Sequence, residues 1–391
     1  MLKYNYTLFQ DPCLKYPVNP EINFESYIAE CKTLIQNTRM DLHDNMLSEQ
    51  IVTANSPFEL KPKGKARYGA LLIHGLFDCP FVMKDIGLHL QAEGLLTRAI
   101  LLPGHGTVPG GLLHVSYNDW LETLAYGIAS LTKEVDRIIL VGFSTGASLA
   151  LYHTLQNTNN NIAGLILLAP AIKIHSALDF ASHWPILLSK TWERAAWLNM
   201  TDEIDYTKYQ SMTFNSIYQV YQLTNAVKAA LAVQSTSCPQ LVIISQEDQT
   251  VSSHSTLQYF QQYASPESQL LLYTNHVNPH SDSRVTTRTA TFPEWNIADI
   301  SHVAIPIAPD NSHYGKKGDY VYASHVEENL QANEKYLYGT YGELQNKFLD
   351  MFHNVGLSKY QHLRLTFNPD FEFLKKTVSA FLSSEIVTSS R

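Results

Sequence analysis

The sequence predicts an α/β protein with a mostly parallel central sheet, helices on both faces of that sheet, and an inserted helical cap. One reason is that short apolar runs alternate with amphipathic segments, which is typical of a parallel sheet covered on both faces. A second reason is that this alternation stops over 171–234, where aromatic side chains occur among helix-forming residues. A third is a G-x-S-x-G motif at one strand–helix junction.

The elements follow from the spacing of apolar residues. The predicted strands are 70–73, 97–102, 138–141, 164–169, 240–245 and 270–273. The predicted helices are 24–39, 81–93, 118–133, a helix that follows the motif as far as 156, 253–263 and 370–383. The stretch 275–300 lacks a clear period, so an irregular loop is expected there.

The order of these elements predicts one core domain with additions. Residues 1–66 form an N-terminal extension packed on the core, which could hold early antiparallel strands or a second cap, and 57–67 is expected to be a linker or turn. The core domain spans 67–391, with the helical cap at about 171–234. A polar, tyrosine-rich insertion is expected at about 314–361.

Composition and apolar patterning argue against several kinds of partner and location. A formal net charge of −8 argues against nucleic acid or an anionic membrane surface as the main partner. No apolar run reaches the roughly 18–20 residues of a transmembrane helix, and no signal peptide is visible, so a cytoplasmic location is expected. The four scattered cysteines predict neither a disulfide framework nor a zinc site, and neither a metal nor an organic cofactor is expected.

The motif Gly142-Phe143-Ser144-Thr145-Gly146 lies between a predicted strand and a predicted helix. A serine at the tip of such a sharp turn needs small neighbours two residues away on either side, which the two glycines provide. The start of the following helix directs its unpaired N–H groups towards the serine oxygen. Ser144 is therefore the predicted nucleophile.

A serine hydroxyl needs a base to take its proton and an acid to orient that base. In this architecture the acid and then the histidine follow the serine along the chain, on loops after later strands. The strand 240–245 is followed by Glu247 and Asp248. Asp248 is the predicted acid, with Glu247 as the alternative.

The base is harder to choose, because the chain contains 16 histidines. His276 lies closest to the predicted last strand, but it belongs to a polar run typical of a surface. His302 lies in the small-residue setting Ser301-His302-Val303-Ala304, which suits a packed imidazole. His302 is the predicted base, and His276 and His313 are the alternatives.

The negative oxygen that forms during acyl transfer needs two backbone N–H donors. One is expected from Thr145, directly after the serine, and the other from Leu76 in the loop after the strand 70–73. His74 and His105 are expected to be structural residues that hydrogen-bond these loops.

Four motifs together resemble the bacterial carboxylesterase and monoglyceride lipase group of the α/β-hydrolase superfamily. They are H-G-L-F after the first predicted strand, L-P-G-H-G after the second, D-W in the helix that precedes the motif strand, and G-F-S-T-G. The resemblance implies the α/β-hydrolase fold with Ser144 as nucleophile, Asp248 as the orienting acid, and Leu76 and Thr145 as oxyanion donors. It also implies that the cap shapes an acyl pocket. The group usually places its histidine soon after the last strand, which favours His276, whereas local chemistry favours His302.

These observations predict a serine hydrolase that cleaves carboxylic esters with an apolar acyl part through an acyl-enzyme. The expected substrate is a small-molecule or lipid-like ester. An acyltransferase or an amide hydrolase would use the same three residues. A non-catalytic binding protein would be expected to lack the nucleophile or the acid, and the sequence contains both.

Overall fold

The structure, a computed structural model, describes residues 6–19, 21–39, 48–157, 161–174, 193–276, 280–321, 336–340 and 361–388. Its strands are β1 (Phe58–Leu60), β2 (Tyr68–Ile73), β3 (Leu96–Ile100), β4 (Arg137–Phe143), β5 (Ile162–Leu168), β6 (Trp197–Asn199), β7 (Met212–Thr213), β8 (Gln240–Ser245), β9 (Gln269–Thr274), β10 (Val285–Thr289), β11 (Tyr336–Gly339) and β12 (Gln361–Arg364). Its longer helices are α1 (Phe24–Thr38), α2 (Ser48–Asn55), α3 (Lys84–Ala92), α4 (Tyr117–Thr132), α5 (Thr145–Gln156), α6 (Phe214–Leu231), α7 (Ser253–Tyr263) and α8 (Phe371–Thr388).

Eight of these strands form one sheet in the order β1-β3-β2-β4-β5-β8-β9-β10. β1 pairs antiparallel with β3, and each of the other neighbouring pairs in the sheet is parallel. The prediction of a mostly parallel α/β fold is therefore confirmed. Because the strands are parallel, the loops that leave their carboxyl ends gather at one edge of the sheet, where ligand sites of open α/β sheets form.

Helices cover both faces of the sheet. Side chains alternate between the two faces along a strand. In β2, Leu71 and Ile73 join the apolar cluster that includes side chains of α1, α4, α5, α6 and α7. Ala70 and Leu72 join a second cluster, to which α3 and α8 contribute. The continuous apolar strands are thus explained by burial on both sides.

One prediction about an edge strand was wrong, and another was incomplete. The stretch 275–300 is not wholly irregular, because β10 pairs in parallel with β9 within it. The stretch 57–67 is not only a linker, because β1 pairs antiparallel with β3, in agreement with the alternative that the N-terminal extension holds early antiparallel strands. Both strands lie at sheet edges and are only partly buried. They therefore lack the apolar run that identifies a central strand.

The N-terminal part of the chain contacts the core through α1. The Tyr27 hydroxyl donates a hydrogen bond to the Leu101 carbonyl oxygen (3.2 Å), and the Leu101 N–H donates to the same hydroxyl oxygen (3.1 Å). The Tyr27 ring also lies 4.9 Å from the ring of Tyr126 in α4. These contacts join α1 to the chain just beyond β3.

The predicted cap at 171–234 is described only in part, since 175–192, with Trp184 and Trp192, lies outside the described residues. Its last portion, α6, packs against α4 and α5 beside the sheet. Trp197 is buried and contacts the ring of Phe9 edge-on, with 5.2 Å between ring centroids.

The predicted insertion at 314–361 is also described only in part, because 322–335 and 341–360 lie outside the described residues. Within it, β11 pairs in parallel with β12, which follows at its end. The domain boundaries stay predictions. Within the described ranges, every helix is too short or too polar to span a lipid bilayer.

The packing of α8 on the sheet predicts a large loss of stability for Leu374→Ala. Leu374 is fully buried under the sheet, so removing its side chain should lower the free energy of unfolding by about 2–5 kcal/mol. Urea unfolding followed by tryptophan fluorescence measures this quantity. Leu88→Ala is the matched control, because Leu88 is also helical but 46% exposed, and its loss should be about 0.5 kcal/mol or less. Equal losses in the two variants would contradict the packing of α8.

Candidate active site

Ser144 lies at the junction of β4 and α5 with a left-handed backbone conformation, φ 53° and ψ −116°. This conformation is costly for a residue with a side chain, so the surroundings must hold it in place. The Ser144 N–H donates a 2.8 Å hydrogen bond to the Leu168 carbonyl oxygen at the end of β5. A methyl group at Gly146 would lie 2.2 Å from the Ile73 carbonyl oxygen, and one at Gly142 would lie 2.4 Å from the Ala147 backbone. The two glycines are therefore needed for the turn.

A chain of hydrogen bonds runs from Ser144 to Asp248 through His302. The His302 Nε2 atom lies 2.9 Å from the Ser144 Oγ atom, and its Nδ1 atom lies 2.6 Å from the Asp248 Oδ2 atom. The other carboxylate oxygen, Oδ1, accepts the backbone N–H groups of Thr250 (2.7 Å) and Val251 (3.0 Å). All three side chains are buried. The turn after β8 thus orients Asp248, which in turn orients the imidazole.

His302 is held by the chain around it. It begins a short 3₁₀ turn, His302–Ala304, whose cap residue Ser301 accepts the Ala304 N–H at 3.3 Å. The Ser301 hydroxyl also donates to the Leu365 carbonyl oxygen, and the Phe143 ring lies 5.1 Å from the imidazole. Because β10 precedes this turn, the histidine does follow the last strand of the sheet. The strand that separates it from β9 was missed in the sequence.

The alternative residues have other positions or other partners. The Glu247 Oε1 atom accepts the Asn275 N–H at 3.0 Å. His276 is exposed. His313 is buried between the carboxylates of Asp205 and Asp319. The structure therefore brings together Ser144, Asp248 and His302, while the catalytic role of each remains a prediction.

The loop after β2 lies against Ser144. A methyl group at Gly75 would lie 3.2 Å from the Ser144 Cβ atom, which places the backbone just before Leu76 beside the nucleophile. Thr145 is the first residue of α5, and the first N–H groups of a helix have no acceptor within the helix. This is the arrangement in which backbone donors from Leu76 and Thr145 could stabilise a negative oxygen.

His74 links two of the loops at this edge of the sheet. Its Nδ1–H donates to the Gly75 carbonyl oxygen (2.8 Å), and its Nε2 atom accepts the Leu102 N–H at 3.1 Å. Burial lowers the pKa of His74 from 6.5 to about 4, against a smaller opposing effect of the bond to Gly75. A neutral imidazole with a proton on Nδ1 fits both bonds. His74 is structural in this arrangement.

His105 is a second buried imidazole, with 5.0 Å between its ring centroid and that of His74. Its Nδ1 atom lies 3.2 Å from the Leu102 and 3.1 Å from the Pro103 carbonyl oxygen. Its Nε2 atom is buried and has no hydrogen-bond partner among the described residues. Burial, reinforced by the nearby His74, lowers the pKa of His105 to about 3. The folded protein therefore keeps this ring neutral.

The segment 205–209 also contacts this edge of the sheet, and sequence reasoning did not single it out. The Tyr209 N–H donates to the Phe77 carbonyl oxygen at 2.9 Å. The Lys208 Nζ atom lies 2.8 Å from the Asp78 Oδ1 atom. The charge of Asp78 directly after H-G-L-F was the available signal, but the pattern does not reveal a partner so distant in the sequence. No group of three or more possible metal ligands occurs among the described residues.

The neutral state of His105 predicts a specific change in acid sensitivity for His105→Asn. Between pH 6.5 and about 3 the unfolded chain binds a proton at this position and the folded protein does not. Stability therefore falls as the pH is lowered through that range, by about 1.4 kcal/mol per pH unit for one group. Asparagine can donate to the same carbonyls but does not titrate, so the variant should lose about that much of the slope.

The measurement is the free energy of unfolding in urea at several values between pH 6 and 4.5. His114→Asn is the control, because His114 is exposed, and it should leave the slope unchanged. An unchanged slope in His105→Asn would show that the folded protein binds the proton there.

Comparison with known proteins shows which family the chain belongs to. The family model described as "Serine aminopeptidase, S33" matches residues 64–277, which is more than half of the chain. A thermostable monoacylglycerol lipase from Bacillus sp. (strain H-257) is 24% identical over 210 residues, covering 53% of this chain and 81% of that protein.

Solved structures were compared as well. A structure of the metagenome-derived lipolytic enzymes LipS and LipT has 21% identity and a TM-score of 0.48, covering 56% of this chain and 87% of that one. A soluble variant of monoglyceride lipase from Saccharomyces cerevisiae, in complex with a substrate analogue, has 16% identity and a TM-score of 0.47, with coverage of 56% and 82%. The predicted membership of the α/β-hydrolase superfamily is confirmed by the extent of the family match, and the chain belongs to the S33 serine aminopeptidase family of α/β-hydrolase enzymes.

Proposed function

We propose that this protein is a serine hydrolase that cleaves carboxylic esters with an apolar acyl part through an acyl-enzyme intermediate. The observation that carries the proposal is the unbroken hydrogen-bond chain from the Ser144 Oγ atom through His302 to Asp248. Its two distances, 2.9 Å and 2.6 Å, lie within the range needed for proton transfer and for fixing the imidazole. The three side chains are buried, and hydrogen bonds between polar groups are stronger in such a setting than in water.

The first half of the reaction transfers the acyl group to the enzyme. The His302 Nε2 atom takes the proton of the Ser144 hydroxyl as its oxygen attacks the ester carbonyl carbon. Asp248 stabilises the resulting imidazolium through the Nδ1–H bond. The tetrahedral intermediate then collapses, the bond to the leaving alcohol breaks, and His302 returns the proton to that alcohol. An ester of Ser144 remains.

The second half repeats the same proton transfers with water. His302 takes a proton from water, whose oxygen attacks the acyl-enzyme, and gives it back to the Ser144 oxygen as the acid leaves. In both halves the negative oxygen would accept hydrogen bonds from the N–H groups of Leu76 and Thr145. The positive end of the α5 dipole points to the same place and adds to this stabilisation.

Apolar residues near the nucleophile support an apolar acyl part. Leu76 and Phe77 are partly buried in the loop beside Ser144, and Ile172 follows Ala171, whose N–H donates to the Ser144 carbonyl oxygen at 3.3 Å. The relative named a monoacylglycerol lipase also supports a lipid-like ester. A cap at 171–234 that covers Ser144 and completes the acyl pocket remains part of the proposal.

Amide hydrolysis is the second candidate, because the family description names a serine aminopeptidase. An aminopeptidase must bind the free ammonium group of its substrate, for which an unpaired carboxylate is best suited. Asp78, the acidic side chain in the loop beside Ser144, is already paired with Lys208. Together with the name of the monoacylglycerol lipase relative, this pairing ranks ester hydrolysis first.

The hydrogen-bond chain predicts that Ser144→Ala loses p-nitrophenyl ester hydrolysis by about 10⁴-fold or more, because the substitution removes the hydroxyl that forms the acyl-enzyme. Initial rates with p-nitrophenyl butyrate measure the loss, and thermal unfolding checks that the variant is folded. A fluorophosphonate probe should label the wild-type protein at Ser144 and leave the variant unlabelled. Near wild-type turnover in Ser144→Ala would defeat the proposal.

Two histidine variants test which residue is the base. His302→Ala should lose activity to a similar extent as Ser144→Ala, since the two residues act as one unit. His276→Ala should retain it, because His276 is exposed. The reverse outcome would assign the base to His276 and leave the nucleophile standing.

The ranking of the two candidate functions predicts higher kcat/KM for 1-monooctanoylglycerol than for octanoyl p-nitroanilide or for alanine p-nitroanilide. The anilide with the free amino group tests the need for an ammonium site. A mass-spectrometric assay with added alcohol separates release of free octanoic acid, which is expected, from acyl transfer. Preference for alanine p-nitroanilide would reverse the ranking.

A further inference from the structure

An ion pair joins the loop beside the nucleophile to the segment 205–209. The Lys208 Nζ atom lies 2.8 Å from the Asp78 Oδ1 atom, and the side chains are only 20% and 6% exposed. Burying two charges is costly unless they are paired. Loss of either partner would therefore leave the other as an uncompensated, largely buried charge.

The Asp78 carboxylate lies next to the nucleophile. A methyl group at Gly75 would lie 2.7 Å from the Asp78 Oδ2 atom and 3.2 Å from the Ser144 Cβ atom. Only Gly75 therefore lies between this carboxylate and Ser144, beside which the substrate's carbonyl oxygen becomes negative during acyl transfer. At such short range in a buried setting, an unpaired carboxylate would repel that charge strongly. The ammonium group of Lys208 offsets the repulsion.

The same segment supports the backbone of the loop. Phe77 has a φ of 66°, a left-handed conformation that is unfavourable for a residue with a side chain. Its carbonyl oxygen accepts the Tyr209 N–H at 2.9 Å. Thus Lys208 and Tyr209, which are adjacent in sequence, hold the two residues that follow Leu76.

The segment is itself fixed on the core. The Tyr209 hydroxyl donates to the Gly104 carbonyl oxygen (3.1 Å) and accepts the Thr107 N–H (2.8 Å). Asp205, at its other end, accepts hydrogen bonds from Thr207 and from the Tyr314 hydroxyl. Lys208 therefore projects from a rigid support and not from a loose loop.

We propose that Lys208 is a positioning residue for ester hydrolysis, which neutralises Asp78 beside the negative oxygen and holds the loop that carries the Leu76 donor. This inference rests on the proposed function. A positioning role of Lys208 and a purely structural role predict different results for one variant. If removing Lys208 lowers activity because the Asp78 charge is left uncompensated, then removing that charge as well should restore activity.

The test is a double-mutant cycle of Lys208→Met and Asp78→Asn, with kcat and KM measured on p-nitrophenyl butyrate. Lys208→Met should lower kcat by about 10- to 100-fold, somewhat less than the loss of an oxyanion donor, and change KM by less than about threefold. The double variant should recover at least about tenfold of that kcat, and Lys208→Arg should keep most of the wild-type value. Lys375→Met is the matched control, because Lys375 pairs with Glu372 on the surface of α8, and it should leave kcat unchanged.

A trifluoromethyl ketone gives an independent readout. The Ser144 oxygen adds to its carbonyl carbon, and the former ketone oxygen of this tetrahedral adduct is negative, like the oxygen of the reaction intermediate. Its inhibition constant should rise in Lys208→Met by a factor similar to the loss in kcat, and return towards the wild-type value in the double variant. A kcat of Lys208→Met within about twofold of wild type, or a double variant as impaired as the single one, would overturn the proposal.

Two further outcomes keep the test decisive. If Lys208→Met does not fold, the double variant decides alone: a kcat within about tenfold of wild type supports the proposal, and a larger loss overturns it. Failure of the proposed function has a separate signature, namely a wild-type protein without ester hydrolysis or a Ser144→Ala variant that retains it. An active, Ser144-dependent enzyme that is indifferent to Lys208 would reject only the role of Lys208.

Discussion

Ser144 keeps a left-handed backbone because three neighbouring strands hold it. Its N–H is bonded to the end of β5, and Gly146 packs directly on the Ile73 carbonyl at the end of β2. Since β4 lies between these two strands, the strained turn is fixed on both sides by the parallel sheet. The position of the hydroxyl, and hence every distance to His302 and Asp248, depends on this arrangement. The apolar strands of the sequence therefore determine the position of the candidate site, because they form the sheet that holds the Ser144 turn.

Local sequence signals were sufficient where the structure is local. The G-x-S-x-G motif predicted the turn at Ser144. An acidic residue just after a buried strand predicted the acid, with Asp248 preferred over Glu247, and the structure places Asp248 beside His302. The small residues around His302 indicated a packed imidazole, which the structure explains through the Ser301 cap and the Phe143 ring. The interior strands were found because both of their faces are buried.

The remaining features could not be predicted because they depend on distant partners or on partial burial. β10, with the sequence V-T-T-R-T, has one face open and therefore shows no apolar run. The pairing of Asp78 with Lys208, and of Phe77 with Tyr209, joins residues more than a hundred positions apart. The segment 205–209 was predicted to belong to a helical cap. In the structure it is a polar segment that hydrogen-bonds the loops beside Ser144, and these partners are distant in the sequence.

Three buried histidines lie in or near this part of the structure, and folding shifts their pKa values in opposite directions. Burial alone would lower the pKa of His313, but the hydrogen bonds and charges of Asp205 and Asp319 outweigh it and raise that pKa above 6.5. The stability that this group contributes is present below pH 6.5 and is lost as the pH rises through the raised value. His74 and His105 have lowered pKa values, so their contribution is present above pH 6.5 and is lost in acid. Because the pKa shifts have opposite signs, the combined contribution of the three imidazoles to stability is greatest near pH 6.5 and declines on either side of it.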